Sequence, residues 1–118
     1  MANHEAARLR LERLRAWMAA QNLDAFVVRN TSDIAWATAF EGVFDDEQAH
    51  VLLVTPDAAQ LHTDSRYVEA CEREAADGPV SVDSEVKSHA AWCAARLADA
   101  ARVGFDDTMS VREHRAFG

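Results

Sequence analysis

Residues 49–63 constrain most strongly what this chain can become. Ala49-His50-Val51-Leu52-Leu53-Val54-Thr55 is an apolar, β-branched run, and Pro56-Asp57-Ala58-Ala59 follows it. Proline presets φ at the start of a turn, so the run ends there and the chain reverses. Gln60 to Thr63 then returns as a partner strand. The segment therefore predicts a β-hairpin, which is antiparallel by construction. Elsewhere the pattern alternates between helix and strand periods. A hairpin inside such an alternation predicts an α/β fold, with a mixed sheet of about five strands flanked by helices.

The rest of the chain fills in that plan. Ala7, Leu11, Leu14 and Met18 recur at helix spacing with Trp17 beside them, and Arg8, Arg10, Arg13 and Arg15 lie on the other face. Gln21-Asn22 can end this helix, because Asn tolerates the left-handed conformation. Leu23 to Val28 reads as a buried strand, Asn30 to Asp33 as a polar break rich in capping residues, and Ile34 to Phe40 as a short helix carrying Trp36. Glu41 to Gln48 holds Gly42, Phe44 and four acidic residues, and reads as an exposed loop.

Asp64 or Ser65 is expected to cap a helix running to about Ala76, with Tyr67, Ala70, Cys71 and Ala75 on one face. Asp77-Gly78-Pro79 ends it, and Val80 to Val82 is a short strand. Ser84 or Asp83 is expected to open the next helix, with Val86, Ala90, Cys93, Leu97 and Ala101 as its buried stripe. Arg102 to Phe105 is a last strand, and Ser110-Val111-Arg112-Glu113 is a capping box that starts a helix.

Composition excludes several classes. A chain of 118 residues suits one domain that buries its own core. With 49 % apolar and 27 % charged residues it is not a disordered chain. No apolar run approaches the roughly 18 residues of a spanning helix, and the first fifteen residues hold no apolar leader segment, so a cytoplasmic location off the membrane is expected. Twelve basic against twenty acidic residues give a net charge of −8, which argues against nucleic acid as a partner. Eleven of the twelve basic residues are Arg and 24 residues are Ala, a bias that suggests a GC-rich, bacterial genome.

Chemistry-bearing patterns are sparse. Cys71 and Cys93 form no Cys-x-x-Cys pair and sit at apolar helix positions, so they are expected as buried free thiols. The five histidines show neither His-x-x-x-His nor His-x-His spacing. His62 and Asp64 share a strand face but lack a third ligand, and His62 is expected near the surface. Asp45-Asp46-Glu47 lacks the calcium-loop pattern, and Asp106-Asp107 reads as a turn after a strand. There is no Gly-x-Ser-x-Gly elbow and no glycine-rich phosphate loop. No catalytic, cofactor-binding or metal-ligating residue is expected in this chain. Phe40 and Phe44 border the acidic loop, and Phe44 between acidic neighbours is a candidate contact for another surface.

Four stretches in order resemble the N-terminal domain of the creatinase, prolidase and aminopeptidase P group of metallopeptidases. They are Arg13-Leu14-Arg15 with Leu23 to Val28, Ser32 to Phe40, the hairpin ending in Leu61-His62-Thr63-Asp64-Ser65-Arg66-Tyr67, and Val103-Gly104-Phe105-Asp106. The Thr-Asp-x-Arg-Tyr run is the most specific of them. Ala39 stands where that family usually has Gly, and the loop from Glu41 to Gln48 departs from its relatives.

The resemblance implies a domain over residues 1–118 with its core at about 9–105 and residues 106–118 starting the connection to a C-terminal catalytic domain. Its fold would be the mixed α/β sheet of relatives, like ribonuclease H without that enzyme's carboxylate cluster. The parent would be a hydrolase, an Xaa-Pro dipeptidase or aminopeptidase, acting on proline-containing peptides. Two divalent ions (manganese, cobalt or zinc) would sit in the C-terminal domain and none here. This domain would aid subunit assembly, as in a dimer, and substrate access, with Phe40, Phe44 and Arg66 as candidate contacts. A free-standing interaction module, a creatine amidinohydrolase and a catalytically dead relative are the alternatives.

Overall fold

The computed structural model describes residues 3–40, 50–86, 88–97 and 102–105. Local sequence explains most element ends. Helix α1 (His4–Ala20) is capped by the Asn3 side chain, which accepts from the Ala6 N–H at 3.0 Å. It stops where Asn22 turns left-handed at φ 59°, as the sequence suggested. Strand β1 (Ala25–Val28) leads to α2 (Thr31–Thr38), capped by Asn30 through the Asp33 N–H. Ala39 closes α2 in the left-handed region at φ 57°. An L-residue there carries a cost of roughly 1–2 kcal/mol that Gly escapes.

The hairpin forms as expected from β2 (Val51–Val54) and β3 (Ala59–His62). Thr55 ties the turn, its N–H donating to the Ala58 carbonyl at 2.9 Å and its hydroxyl accepting from the Ala58 N–H at 3.1 Å. Helix α3 (Val68–Ala75) begins later than the sequence suggested. Asp64 spends its carboxylate on the Arg66 N–H and its carbonyl on the Tyr67 and Val68 N–H groups, so the chain makes a turn before the helix. At the far end Asp77, not Gly78, adopts positive φ. Gly78 has a different role, since a Cβ there would displace the His4 ring.

Strand β4 (Ser81–Asp83) and α4 (His89–Arg96) follow, then β5 (Val103–Phe105). Ser88 caps α4, accepting from the Ala91 N–H at 3.1 Å, so the expected start at Ser84 or Asp83 is corrected. Val86 therefore lies before the helix and is fully exposed instead of buried. The expected exposed loop from Glu41 to Gln48, Ala101, Asp106-Asp107 and the capping box at Ser110 lie outside the described residues, as does most of residues 98–118.

The sheet runs β4-β3-β2-β1-β5. The two central pairs are antiparallel, and the outer pairs β3 with β4 and β1 with β5 are parallel, so the sheet is mixed. Strand alternation sends Phe26, Val28, Leu52, Val54, Ala59 and Leu61 to one face, where Leu11, Met18, Ile34 and Cys71 from α1, α2 and α3 cover them. Ala25, Val27, Val51 and Leu53 point to the other face, beneath Trp92 and Cys93 of α4. Both faces of β2 are buried, which is why its sequence is apolar without alternation.

Candidate functional site

Two polar clusters meet where β3 ends. The first is built on Thr63-Asp64-Ser65-Arg66-Tyr67. Arg66 closes back on Asp64, with Nη2 and Nε donating to Oδ2 at 2.9 and 3.2 Å. That hydrogen bond holds the Asp64 carboxyl below its ordinary pKa, against the opposing effect of burial. The guanidinium lies 5.2 Å over the Tyr67 ring. Its side chain is still 61 % exposed, so the turn presents a preset cation to whatever approaches. Beneath it, Thr63 and His50 are buried and joined Oγ1 to Nδ1 at 2.9 Å, and the buried Arg29 donates Nη1–H to the His50 carbonyl. Tyr67 packs edge-on to His50 and against the core.

The three sequence candidates separate here. Arg66 is exposed at the turn. Phe40 is 6 % exposed and belongs to the core under α2, its N–H donating to the Thr38 hydroxyl. Phe44 lies outside the described residues.

The second cluster sits on the opposite face, and sequence reasoning missed it. His62 is 2 % exposed, which corrects its expected surface position. Its Nδ1 lies 2.7 Å from His89 Nδ1, and its Nε2 lies 2.9 Å from the Glu85 carbonyl. The ring stacks on Trp92 at 4.8 Å and 14°. Trp92 donates its indole N–H to Asp83 Oδ2 at 2.8 Å, and Arg96 reaches the same oxygen at 2.8 Å. Arg96 also bonds Gln60 Oε1 and lies 4.1 Å over Trp92. Parallel pairing of β3 with β4 sets His62 opposite Asp83, a register the sequence did not disclose. The usable hint was Ser88-His89-Ala90-Ala91-Trp92, a capped helix start with His and Trp one turn apart.

The indole hydrogen bond is the main reason that Asp83 sits below the ordinary carboxylate pKa, with the Glu85 N–H and Arg96 adding to it and burial opposing. A carboxyl held low in the fold stabilises at pH values above its unfolded pKa, and that contribution disappears as pH falls through the folded value. We expect urea midpoints to drop between pH 4.5 and pH 2.5, and Asp83→Asn to flatten that drop.

Burial pushes Cys71 up to about 11 and Cys93 to about 12, far from a reactive thiolate at neutral pH. Among the described residues no group of three His, Cys, Asp or Glu side chains surrounds a point that a metal ion could take. The described residues thus do not fit a dinuclear site.

This geometry, a five-stranded mixed sheet with a Thr-Asp-x-Arg-Tyr turn, defines a class. The family model of the creatinase/prolidase N-terminal domain matches residues 10–117, and the chain belongs to that family. Among solved structures it is similar to the N-terminal domain of the cytoplasmic peptidase PepQ from Mycobacterium tuberculosis, at 27 % identity and TM-score 0.72 over 92 % of this chain and 82 % of that one. It is similar to an Xaa-Pro aminopeptidase chain from Streptococcus pyogenes, at 26 % identity and TM-score 0.70 over 96 % of this chain and 83 % of that one. It shares the fold of the Xaa-Pro dipeptidase from Bacillus anthracis, with 24 % identity and TM-score 0.76 over 94 % of this chain, and spans 30 % of that protein's length. No curated protein matches the chain.

Proposed function

We propose that residues 1–118 serve as the non-catalytic N-terminal domain of an Xaa-Pro peptidase, in the cytoplasm, where they aid subunit assembly and substrate access. The two divalent metal ions and the hydrolysis of proline-containing peptides then belong to a C-terminal catalytic domain, toward which residues 106–118 lead. The observation that carries this reading is the Asp64–Arg66 turn, which fixes an exposed guanidinium at the end of the sheet. A rigid, exposed Arg is the side chain that protein interfaces most often exploit, together with Trp and Tyr. Phe44 is the second contact in this proposal. Phe40 is the third candidate, and its ring is buried in the core.

The test is made in the parent protein with its C-terminal domain. Arg66→Ala is expected to weaken subunit association or raise KM by about tenfold, the effect of one interface Arg. The exposed Asp64–Arg66 pair contributes under about 1 kcal/mol to folding, so thermal melting should hardly move. Unchanged association, KM and kcat in both Arg66→Ala and Phe44→Ala would overturn the proposal.

A further inference from the structure

We propose that the His62–His89 pair is an acid-sensitive latch, holding the start of α4 on the sheet and releasing it when both rings become protonated. The Glu85 carbonyl can only accept, so His62 Nε2 carries the proton that faces it. A neutral His62 then offers an unprotonated Nδ1, and His89 Nδ1–H donates to it across 2.7 Å. A proton added to the other nitrogen of His89 leaves this bond intact. With His89 charged, a proton on His62 Nδ1 as well sets two N–H groups against each other at that distance, and the contact must open.

The surroundings leave the pair as the deciding element. From β4, Asp83 faces the rings and attracts positive charge on His62, while Arg96 of α4 shares its carboxylate through a 2.8 Å salt bridge. From β3, Gln60 is neutral and bonds Arg96. Arg29, past the end of β1, shares this face by strand alternation and adds a positive charge that disfavours a second proton. The Glu85 residue is exposed. His50 and Thr63 pair on their own, beside Tyr67 on the opposite side of the sheet. With no third ligating side chain among the described residues, the short contact is a proton-sharing one and not a metal site.

His89 is the first residue of α4, and α4 carries Trp92 and Cys93 onto the sheet. Opening the latch therefore uncovers Cys93. The latched state binds one proton fewer than the released state. Its share is therefore expected to fall as the pH falls. Cys71 lies under α3 on the other face and supplies an internal reference.

The 118-residue chain is labelled with dithiodipyridine, which reacts with thiols in acid, and the Cys93-to-Cys71 labelling ratio is read by peptide mass spectrometry. Between pH 7.5 and pH 5.0 the ratio is expected to rise at least about tenfold. In His62→Gln it is expected not to change with pH. A flat ratio in the wild-type chain, or an equal rise in the variant, would overturn the latch. Ring-nitrogen NMR of the wild-type chain tests the same point without a variant. A neutral His62 with its proton on Nε2 beneath exchange-protected α4 amides is expected at neutral pH, and two fully protonated rings beneath an equally protected α4 would overturn it.

Discussion

Trp92→Ala is expected to cost the fold about 3–5 kcal/mol, read as a lower urea midpoint at unchanged slope. The residue is fully buried and is the largest side chain on its face of the sheet. Its removal opens a cavity over Ala25, Val27, Val51 and Leu53, and it strips Asp83 of the indole hydrogen bond. It also takes away the surface on which His62 stacks and over which Arg96 lies. Small domains have about 5–15 kcal/mol in total, so the variant is left near the threshold of folding. Trp92→Phe separates the two contributions. It keeps an aromatic ring over the sheet and drops the N–H, so a loss of about 1–2 kcal/mol is expected. If Trp92→Ala loses less than about 1 kcal/mol, α4 is not seated as described.

Aspartate at Leu52 and, separately, at Leu53 is expected to abolish folding, seen as loss of the far-UV helix signal and of soluble expression. The two side chains point to opposite faces, yet both are buried. Burying a carboxylate there costs several kcal/mol. In a sheet with one wet face, only one of the two substitutions would be lethal. Survival of Leu53→Asp would mean that α4 leaves its face open. Gln60→Glu is the control in the next strand. Its side chain already accepts from Arg96 at 2.9 Å, so a change within about 0.5 kcal/mol is expected.

What the chain discloses in advance depends on how local each cause is. The hairpin could be read because its proline turn and both strands are contiguous. The end of α1 at Asn22 could be read because the cap is one residue with a known backbone preference. The starts of α3 and α4 were misplaced where two capping residues competed. Asp64 made a turn first, and Ser88 won over Ser84. The family turn at Thr63 to Tyr67 was legible as a motif, and its exposed Arg66 followed. The His62–His89 contact was not legible. It depends on the parallel register of β3 with β4 and on where α4 lies across the sheet, and neither is encoded within one stretch of sequence.

The outer strand β5 bears on how the molecule assembles. The hairpin closes a loop of a few residues, whereas the pairing of Ala25 with Val103 must bring together segments most of the chain apart. Closure entropy grows with loop length, so β2 and β3 can zip early while β5 waits. Asp24 then clamps the latecomer, its N–H donating to the Arg102 carbonyl at 2.8 Å and its carboxylate accepting from the Arg102 N–H at 2.9 Å. Gly104 lets β5 slide in under Leu23 and Phe26, which a Cβ would meet at 2.9 Å. Closure entropy thus favours completing the sheet from its centre outward, with the outer strand β5 added late.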